Sequence, residues 1–145
     1  MKGSDVTLIK GAISKDQRGQ IRFVNDFHMA DIKRFYMIKN RNDSIVRGWR
    51  GHRRERRWFY VISGAFVIDI VKIDDWEVPS RELCIDRYIL KDSDQSLLSV
   101  DRGHATAFRA LNEDSELLVF ADHELADAKL DDYTWPEDYF IERQV

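Results

Sequence analysis

Residues 45–64 read IVRGWRGHRRERRWFYVISG, a stretch that combines strand-forming residues with an unusual density of positive charge. It holds six arginines and one histidine between β-branched and aromatic residues. Side chains of an extended segment alternate between two faces, which puts Arg50, His52 and Arg54 on one face and Arg47 and Trp49 on the other. The pattern predicts a strand that carries a cationic row beside a single imidazole.

Two interpretations of this cationic row are open from the pattern alone. It is either an exposed edge strand, whose charges discourage pairing with other chains, or the wall of an anion-binding site. Gly48 and Gly51 favour the second interpretation, because glycine lets a ligand or another backbone approach closely. So does the apolar sequence that begins at Trp58. If the row lies in a site, its charge is expected to be uncompensated until an anion binds.

Short strand-like segments recur up to residue 122 and are separated by Gly-, Asp- and Asn-containing turns. This spacing predicts an all-β fold, a β-sandwich or jelly-roll barrel, with one short helix possible at residues 123–130. The segments on either side of Gly64 are expected to pair as a hairpin. The prediction of about eight or nine strands rests on residues 6–9, 20–24, 32–38, 57–62, 65–71, 82–90, 96–100, 106–111 and 116–122.

Length and charge distribution bound the possible functions. A chain of 145 residues is expected to form one domain, and its net charge of −3 argues against nucleic acid as the main partner. Residues 47–57 nevertheless carry six arginines against Glu55 alone, whereas residues 113–142 carry eleven acids against Lys129 alone. A basic cluster in an acidic protein predicts a small anionic ligand.

Cysteine usage and hydropathy bear on location. Cys84 is the only cysteine, which excludes an intramolecular disulfide and a cysteine-based zinc site and fits a reducing compartment. The first residues lack an apolar signal core, and no apolar run approaches membrane-spanning length. We therefore expect a cytoplasmic protein with no membrane partner.

Four segments together resemble a known family. They are DQRG at residues 16–19, IKRFYMI at 32–38, RGWRGHR at 47–53 and the ISG turn that ends twelve residues after His52. They are similar to the dTDP-4-keto-6-deoxyglucose 3,4-ketoisomerases, WxcM-like cupins related to dTDP-4-dehydrorhamnose 3,5-epimerase. The resemblance implies a single cupin domain over residues 1–145, a double-stranded β-helix or jelly roll. It also implies a homodimer with exchanged N-terminal strands that acts on a nucleotide sugar in cell-surface polysaccharide biosynthesis.

The family motifs match this chain incompletely. The ketoisomerases read R-G-x-H-A-H-K, so that His52 falls on the second histidine and Arg50 replaces the first. Arg57 stands where the family usually has glutamine, and Tyr36 falls on an aromatic of the family's KR-x-Y-Y strand. The proton-donating tyrosine of the related epimerases falls near Phe120, which has no hydroxyl.

These positions imply roles in a reaction beside a ketone, which needs a base, a cation for the enolate oxygen and an acid. His52 is the candidate base, and nearby arginines are expected to lower its pKa and keep it neutral. Arg50 or Arg57 would stabilise the enolate, and Tyr36 would return a proton. The alternatives are a structural histidine and a buried strand tyrosine with an ordinary hydrogen bond.

Further residues are candidates for binding the substrate. Arg18 and Arg47 suit a diphosphate, because a guanidinium fork matches phosphate oxygens. Arg57 is a further candidate, and His104 is expected either to line the cavity or to lie exposed beside a glycine turn. The resemblance places Arg50 in the cupin H-x-H pair, and a guanidinium cannot ligate a metal, so neither a metal nor a cofactor is expected.

Two classes of function follow from the resemblance. The first is a nucleotide-sugar isomerase or epimerase that acts next to the ketone of a dTDP-4-keto-6-deoxyhexose through an enolate. The second is a non-catalytic sugar-nucleotide-binding cupin. The presence of Arg50 and Phe120 where the relatives have acid-base groups favours this second class.

Overall fold

A computed structural model describes residues 5–141, which form mostly antiparallel strands. The strands are short, as the turn spacing predicts, and the single α-helical turn lies within the expected residues 123–130. The described elements are β1 (Val6–Lys10), β2 (Ala12–Asp16), β3 (Gly19–Phe23), β4 (Arg34–Ile38), β5 (Val46–His52), β6 (Arg57–Ser63), β7 (Ala65–Lys72), β8 (Asp86–Lys91), β9 (Ser96–Val100), β10 (His104–Ala110), β11 (Glu116–Ala121), α1 (Leu125–Ala128), a 3-10 turn (Lys129–Asp131) and β12 (Tyr133–Thr134).

Two five-stranded sheets carry the fold. The first has the order β1-β9-β6-β11-β4, the second has the order β12-β5-β10-β7-β8, and β2 and β3 pair separately. Alternate residues of each strand face the space between the two sheets, as the period of a pleated strand requires. Phe59 of β6 and Val119 of β11 thereby meet Phe66 and Ile68 of β7 in one core cluster, and all four are completely buried. The prediction of an all-β fold is confirmed.

The prediction that β6 and β7 pair as a hairpin is wrong. β6 pairs with β9 and β11 in the first sheet, whereas β7 pairs with β8 and β10 in the second. Gly64 therefore forms a corner between sheets. Its φ of +74° lies in the left-handed region, and a Cβ at this position would overlap Ser115. Its backbone N–H donates to the carboxylate of Asp92 at 2.9 Å. A tight glycine turn has the same sequence signature in a hairpin and in a corner.

Two other strand predictions differ from the structure. β2 was not predicted, because its sequence AISKD is mostly polar and exposed and so lacks an apolar alternation. The predicted strand 82–90 begins only at Asp86. Among residues 5–141, no helix is both long enough and apolar enough to span a membrane.

The C-terminal segment covers the outer face of the second sheet. Trp49 packs edge-on against Phe140 at 4.9 Å between ring centroids, within a second buried cluster. A Cβ on Gly51 would lie 2.6 Å from the Trp135 ring, and one on Gly48 would lie 3.3 Å from the backbone of Glu137. Both glycines therefore admit the chain's own C-terminal segment. Of the two alternatives expected there, a ligand or another backbone, Gly48 shows the second, whereas Gly51 is approached by a side chain.

Candidate functional site

A cavity of about 860 Å³ opens between the two sheets, with β4 and β6 on one side and β5 and β10 on the other. Leu125 and Ala128 of α1 and Lys129 of the 3-10 turn close part of its rim. Four arginines line it, an unusual number for a space that also borders the apolar core. The side chains used below are Arg34, Tyr36, Arg47, Arg50, His52, Arg57, Thr106 and Phe108.

A β-bulge brings Arg47 into this cavity. In the pairing of β5 with β10, Thr106 lies opposite Arg50 and Phe108 lies opposite Arg47. Two residues of β5 therefore face one residue of β10, and the extra residue shifts the alternation of side chains. Arg47 thereby joins Arg50 on the cavity side, contrary to the predicted alternation.

Arg54 is not part of the cavity, which corrects its predicted place in the row. β5 ends at His52, and residues 53–56 form a loop in which the Arg54 side chain is exposed. The loop is held by the buried carboxylate of Asp131, which accepts the backbone N–H of Arg53 at 2.8 Å and those of Arg54 and Glu55 at 2.9 Å. The alternation of side chains between two faces ends at His52, because beyond it the backbone turns and donates its N–H groups to the Asp131 carboxylate.

His52 is buried at the inner end of β5. Its Nδ1 lies 3.0 Å from the carbonyl oxygen of Asp131, which can only accept, so Nδ1 carries the hydrogen. Its Nε2 is buried and has no hydrogen-bond partner among residues 5–141. Burial, together with the charges of Arg57 and Arg50, lowers the pKa of His52 to about 3, although the hydrogen bond to Asp131 and the charge of Asp131 oppose the shift. Burial has a larger effect on this pKa than the arginines that the sequence emphasises. The imidazole is therefore neutral at neutral pH, with a free lone pair on Nε2.

Most of the cationic groups are compensated, which corrects the expectation of uncompensated charge. Glu55 is only 1% exposed. Arg34 Nη2 lies 3.2 Å from Glu55 Oε1, and Arg57 Nη2 lies 2.9 Å from Glu55 Oε2. Arg50 pairs with Asp132 at 3.2 Å near the cavity mouth. Glu55 thus balances part of the charge inside the cavity.

Arg47 is the exception among the four cavity arginines. Its Nε donates to the neutral amide oxygen of Asn40 at 2.7 Å, and it has no acidic partner within residues 5–141. Its terminal nitrogens are the group in this wall best suited to an external anion.

Tyr36 lies between the two arginines that share Glu55. Arg57 Nη1 donates to its hydroxyl oxygen at 2.6 Å. The guanidinium carbons of Arg34 and Arg57 lie 5.2 and 5.7 Å from the centre of its ring. The ring is held firmly, with its hydroxyl at the cavity wall.

Two predicted site residues lie elsewhere. Arg18 is at the turn between β2 and β3, where its side chain is 84% exposed and pairs with Asp16. His104 neighbours His52 across the sheet but lines a separate cavity of about 260 Å³ with Asp5 and Lys72. His104 is buried beside this second cavity, so it takes neither of the two expected positions, lining the main cavity or exposed beside the glycine turn. Neither residue reaches the main cavity within one chain.

Phe120 also lies outside the cavity. Its ring packs against Phe27 at 5.3 Å and Phe35 at 6.3 Å between centroids. This is the face of β11 opposite to the buried Leu117 and Val119. The missing hydroxyl at Phe120 therefore removes no group from the cavity, and this argument for a non-catalytic protein fails.

Sequence reasoning missed two acids that organise the site. Glu55 was visible as the single acid among six arginines, and that contrast was the available signal. No signal in the sequence pointed to Asp131, because it lies 76 to 78 residues from the backbone N–H groups that it binds. Within residues 5–141, no group of three or more His, Cys, Asp or Glu side chains is arranged to hold a metal ion.

The fold of this chain is also found in known proteins. No curated protein matches the sequence. Solved structures do, among them a histidine-to-asparagine variant of the 3,4-ketoisomerase QdtA from Thermoanaerobacterium thermosaccharolyticum in complex with TDP-4-keto-6-deoxyglucose. It is 21% identical, with a TM-score of 0.71 over 94% of this chain and 91% of QdtA. The rmlC epimerase of Mycobacterium tuberculosis is 18% identical, with a TM-score of 0.74 over 92% of this chain and 70% of the epimerase.

A third structure extends the comparison to another activity. The 3'-monoepimerase ChmJ from Streptomyces bikiniensis, in complex with dTDP-quinovose, is 13% identical, with a TM-score of 0.74 over 100% of this chain and 81% of ChmJ. These similarities confirm the cupin jelly-roll fold. A family model described as "FdtA: WxcM-like, C-terminal" matches residues 4–144. The chain therefore belongs to the WxcM-like, C-terminal family.

Proposed function

We propose that this protein is a nucleotide-sugar isomerase or epimerase that acts next to the ketone of a dTDP-4-keto-6-deoxyhexose. The observation that carries the proposal is the neutral His52, whose Nε2 has no partner in the described part of the chain, in a cavity that also presents Arg50, Arg57 and Tyr36. A base that must accept a proton from carbon has to be unprotonated, and His52 is.

In the proposed reaction, His52 Nε2 removes a proton from the carbon beside the ketone. The electron pair of that C–H bond moves into the enolate, whose oxygen is stabilised by Arg50 or Arg57. In an epimerisation, Tyr36 then returns a proton to the opposite face of the same carbon. In a keto shift, it returns the proton to the former carbonyl carbon, while the hydroxyl proton on the first carbon passes to the enolate oxygen and leaves a ketone there. No oxidant or reductant is required, so the reaction needs no cofactor.

Arg47 is proposed to bind the diphosphate, because its guanidinium lacks an acidic partner in the described part of the chain. Arg18 can take part only by reaching the cavity of a neighbouring copy, as an exchanged N-terminal hairpin would allow. The complexes of QdtA with TDP-4-keto-6-deoxyglucose and of ChmJ with dTDP-quinovose support this class of ligand. A role for His104 in binding, a cytoplasmic location and a pathway of surface-polysaccharide synthesis stay predictions.

Solvent-deuterium incorporation into a dTDP-4-keto-6-deoxy sugar tests the proposal. We expect the wild type to incorporate deuterium and His52→Asn to lose about 100-fold or more in rate. Both proteins should gain a higher melting temperature on addition of dTDP, whereas Arg47→Ala should gain less. Binding without any exchange would establish the non-catalytic cupin instead, and no stabilisation by millimolar dTDP would contradict both functions.

A further inference from the structure

We propose that Glu55 and Arg57 are positioning residues that turn the hydroxyl proton of Tyr36 toward the bound sugar. This inference rests on the proposed function, because it assigns Tyr36 a ligand oxygen to which it donates. Glu55 and Arg57 form an ion pair, and the family motif has a neutral glutamine at the position of Arg57.

Glu55 has little freedom to move. Its side chain is completely buried, and its backbone N–H is held by Asp131 at 2.9 Å. Its carboxylate accepts from Arg34 at 3.2 Å and from Arg57 at 2.9 Å, and it lies 3.5 Å from His52 Nδ1. Removing the carboxylate would leave two arginines in the wall with no acidic partner among the described residues.

The contacts of Arg57 determine how its last nitrogen is used. Nε and Nη2 both lie 2.9 Å from Glu55 Oε2, so that this edge of the guanidinium is engaged. Nη1 remains, and it donates to the Tyr36 hydroxyl oxygen at 2.6 Å. The guanidinium is thereby fixed as a donor aimed at the phenol.

The direction of this hydrogen bond decides where the phenolic hydrogen can go. A guanidinium has donors and no acceptor, so the Tyr36 oxygen must accept and its hydrogen cannot be given to Arg57. Within residues 5–141, no acceptor is bonded to that hydrogen, and Tyr36 lines the cavity. Water in the cavity, or an oxygen of the bound sugar that replaces it, is the acceptor that remains. A glutamine at position 57 could either donate or accept, and would leave the direction open.

Calorimetric titration with dTDP-glucose and with dTDP tests this. In dTDP-glucose the reactive ketone is replaced by a hydroxyl, so binding can be measured without turnover. We expect Tyr36→Phe and Glu55→Gln each to weaken dTDP-glucose binding by about fivefold to tenfold and to leave dTDP binding unchanged. The double variant should lose no more than either single variant, because both remove the same hydrogen bond.

Two further variants keep the test interpretable. Glu55→Gln leaves Arg57 without its partner and can unfold the protein, so Glu55→Gln/Arg57→Gln, which removes both charges, is measured in parallel and should show the same loss. Asp69→Asn is the matched control, since Asp69 accepts a two-nitrogen contact from Arg87 at 2.7 and 3.0 Å on the second sheet outside the cavity. It should bind both ligands like the wild type.

Losses that add up in the double variant would overturn the inference, because Glu55 would then act independently of Tyr36. Equal losses for dTDP and dTDP-glucose would overturn it as well, since the effect would not depend on the sugar. In both cases the proposed function stands. A wild type that binds neither ligand would overturn the proposed function together with the inference.

Discussion

His52 couples the stability of the protein to pH in a direction that its burial determines. Its pKa in the folded protein is about 3, well below the ordinary value of 6.5, because burial and Arg57 disfavour the imidazolium. Between these two values the unfolded chain binds a proton that the folded protein does not. The free energy of unfolding should therefore fall as pH decreases from 6.5 toward 3, by at most about 1.4 kcal/mol per pH unit from this group.

Urea unfolding of the wild type and of His52→Asn between pH 7 and pH 4 measures this contribution. Other groups titrate in the same range, and the difference between the two proteins isolates His52. We expect the wild type to lose more stability than the variant over this range. Parallel curves would show that His52 is hydrated or paired with a charge in solution.

At the residue scale, the cationic stretch led to much of the candidate site. Strand alternation and the family motifs singled out Tyr36, Arg50, His52 and Arg57, and the match of a guanidinium to phosphate singled out Arg47. The structure brings these five together in one cavity. Their roles stay predictions. Arg18 and His104 were placed by chemical type alone, and a residue's type does not say which cavity it lines.

Elements, rather than residues, account for what the sequence could not predict. The β-bulge in β5 moves Arg47 to the cavity side, and the corner at Gly64 sends β6 and β7 into different sheets. Both depend on pairing with strands far along the chain. Periodicity predicts that a segment is extended, whereas the register against β10 or β11 arises only in the folded protein.

The loop between β5 and β6 shows how one distant residue positions an element. Asp131 holds the loop through its carboxylate and His52 through its carbonyl oxygen. Asp131→Ala would leave these backbone N–H groups without their acceptor, and we expect it to lower the free energy of unfolding by about 3 kcal/mol. Turnover should fall more than dTDP binding does, since the loop carries Glu55 and adjoins His52.

Asp132→Asn is the control for this prediction, measured by urea unfolding beside Asp131→Ala. Asp132 is the next residue, and its ion pair with Arg50 is partly exposed, with side-chain exposures of 42% and 55%. Such a pair contributes about 0 to 1 kcal/mol, so this variant should be nearly as stable as the wild type. Equal losses in the two variants would mean that the backbone hydrogen bonds to Asp131 contribute little.

At the scale of the whole molecule, the outer face of the first sheet is the surface that a second copy would cover. β4 is an edge strand of this sheet, and its Phe35 and Met37 are 62% and 55% exposed. The ring of Phe35 packs against that of Phe120, which packs in turn against that of Phe27. An apolar sheet face beside an open edge is a site for association, and two copies related by a twofold axis would close it.

We therefore expect a homodimer in sedimentation-velocity experiments at micromolar concentration, and a monomer for Phe35→Glu. The Phe35 side chain is exposed in the single chain and does not line the cavity, so the variant should keep its fold, and Val78→Glu, at a 72% exposed loop position, should remain dimeric. If Arg18 contributes to the cavity of the partner, the monomeric variant should bind dTDP as weakly as Arg18→Ala does. A monomeric wild type would refute the dimer, and dTDP binding that survives in the monomeric variant would exclude Arg18 from the site, because within one chain this arginine remains at the exposed turn beside Asp16.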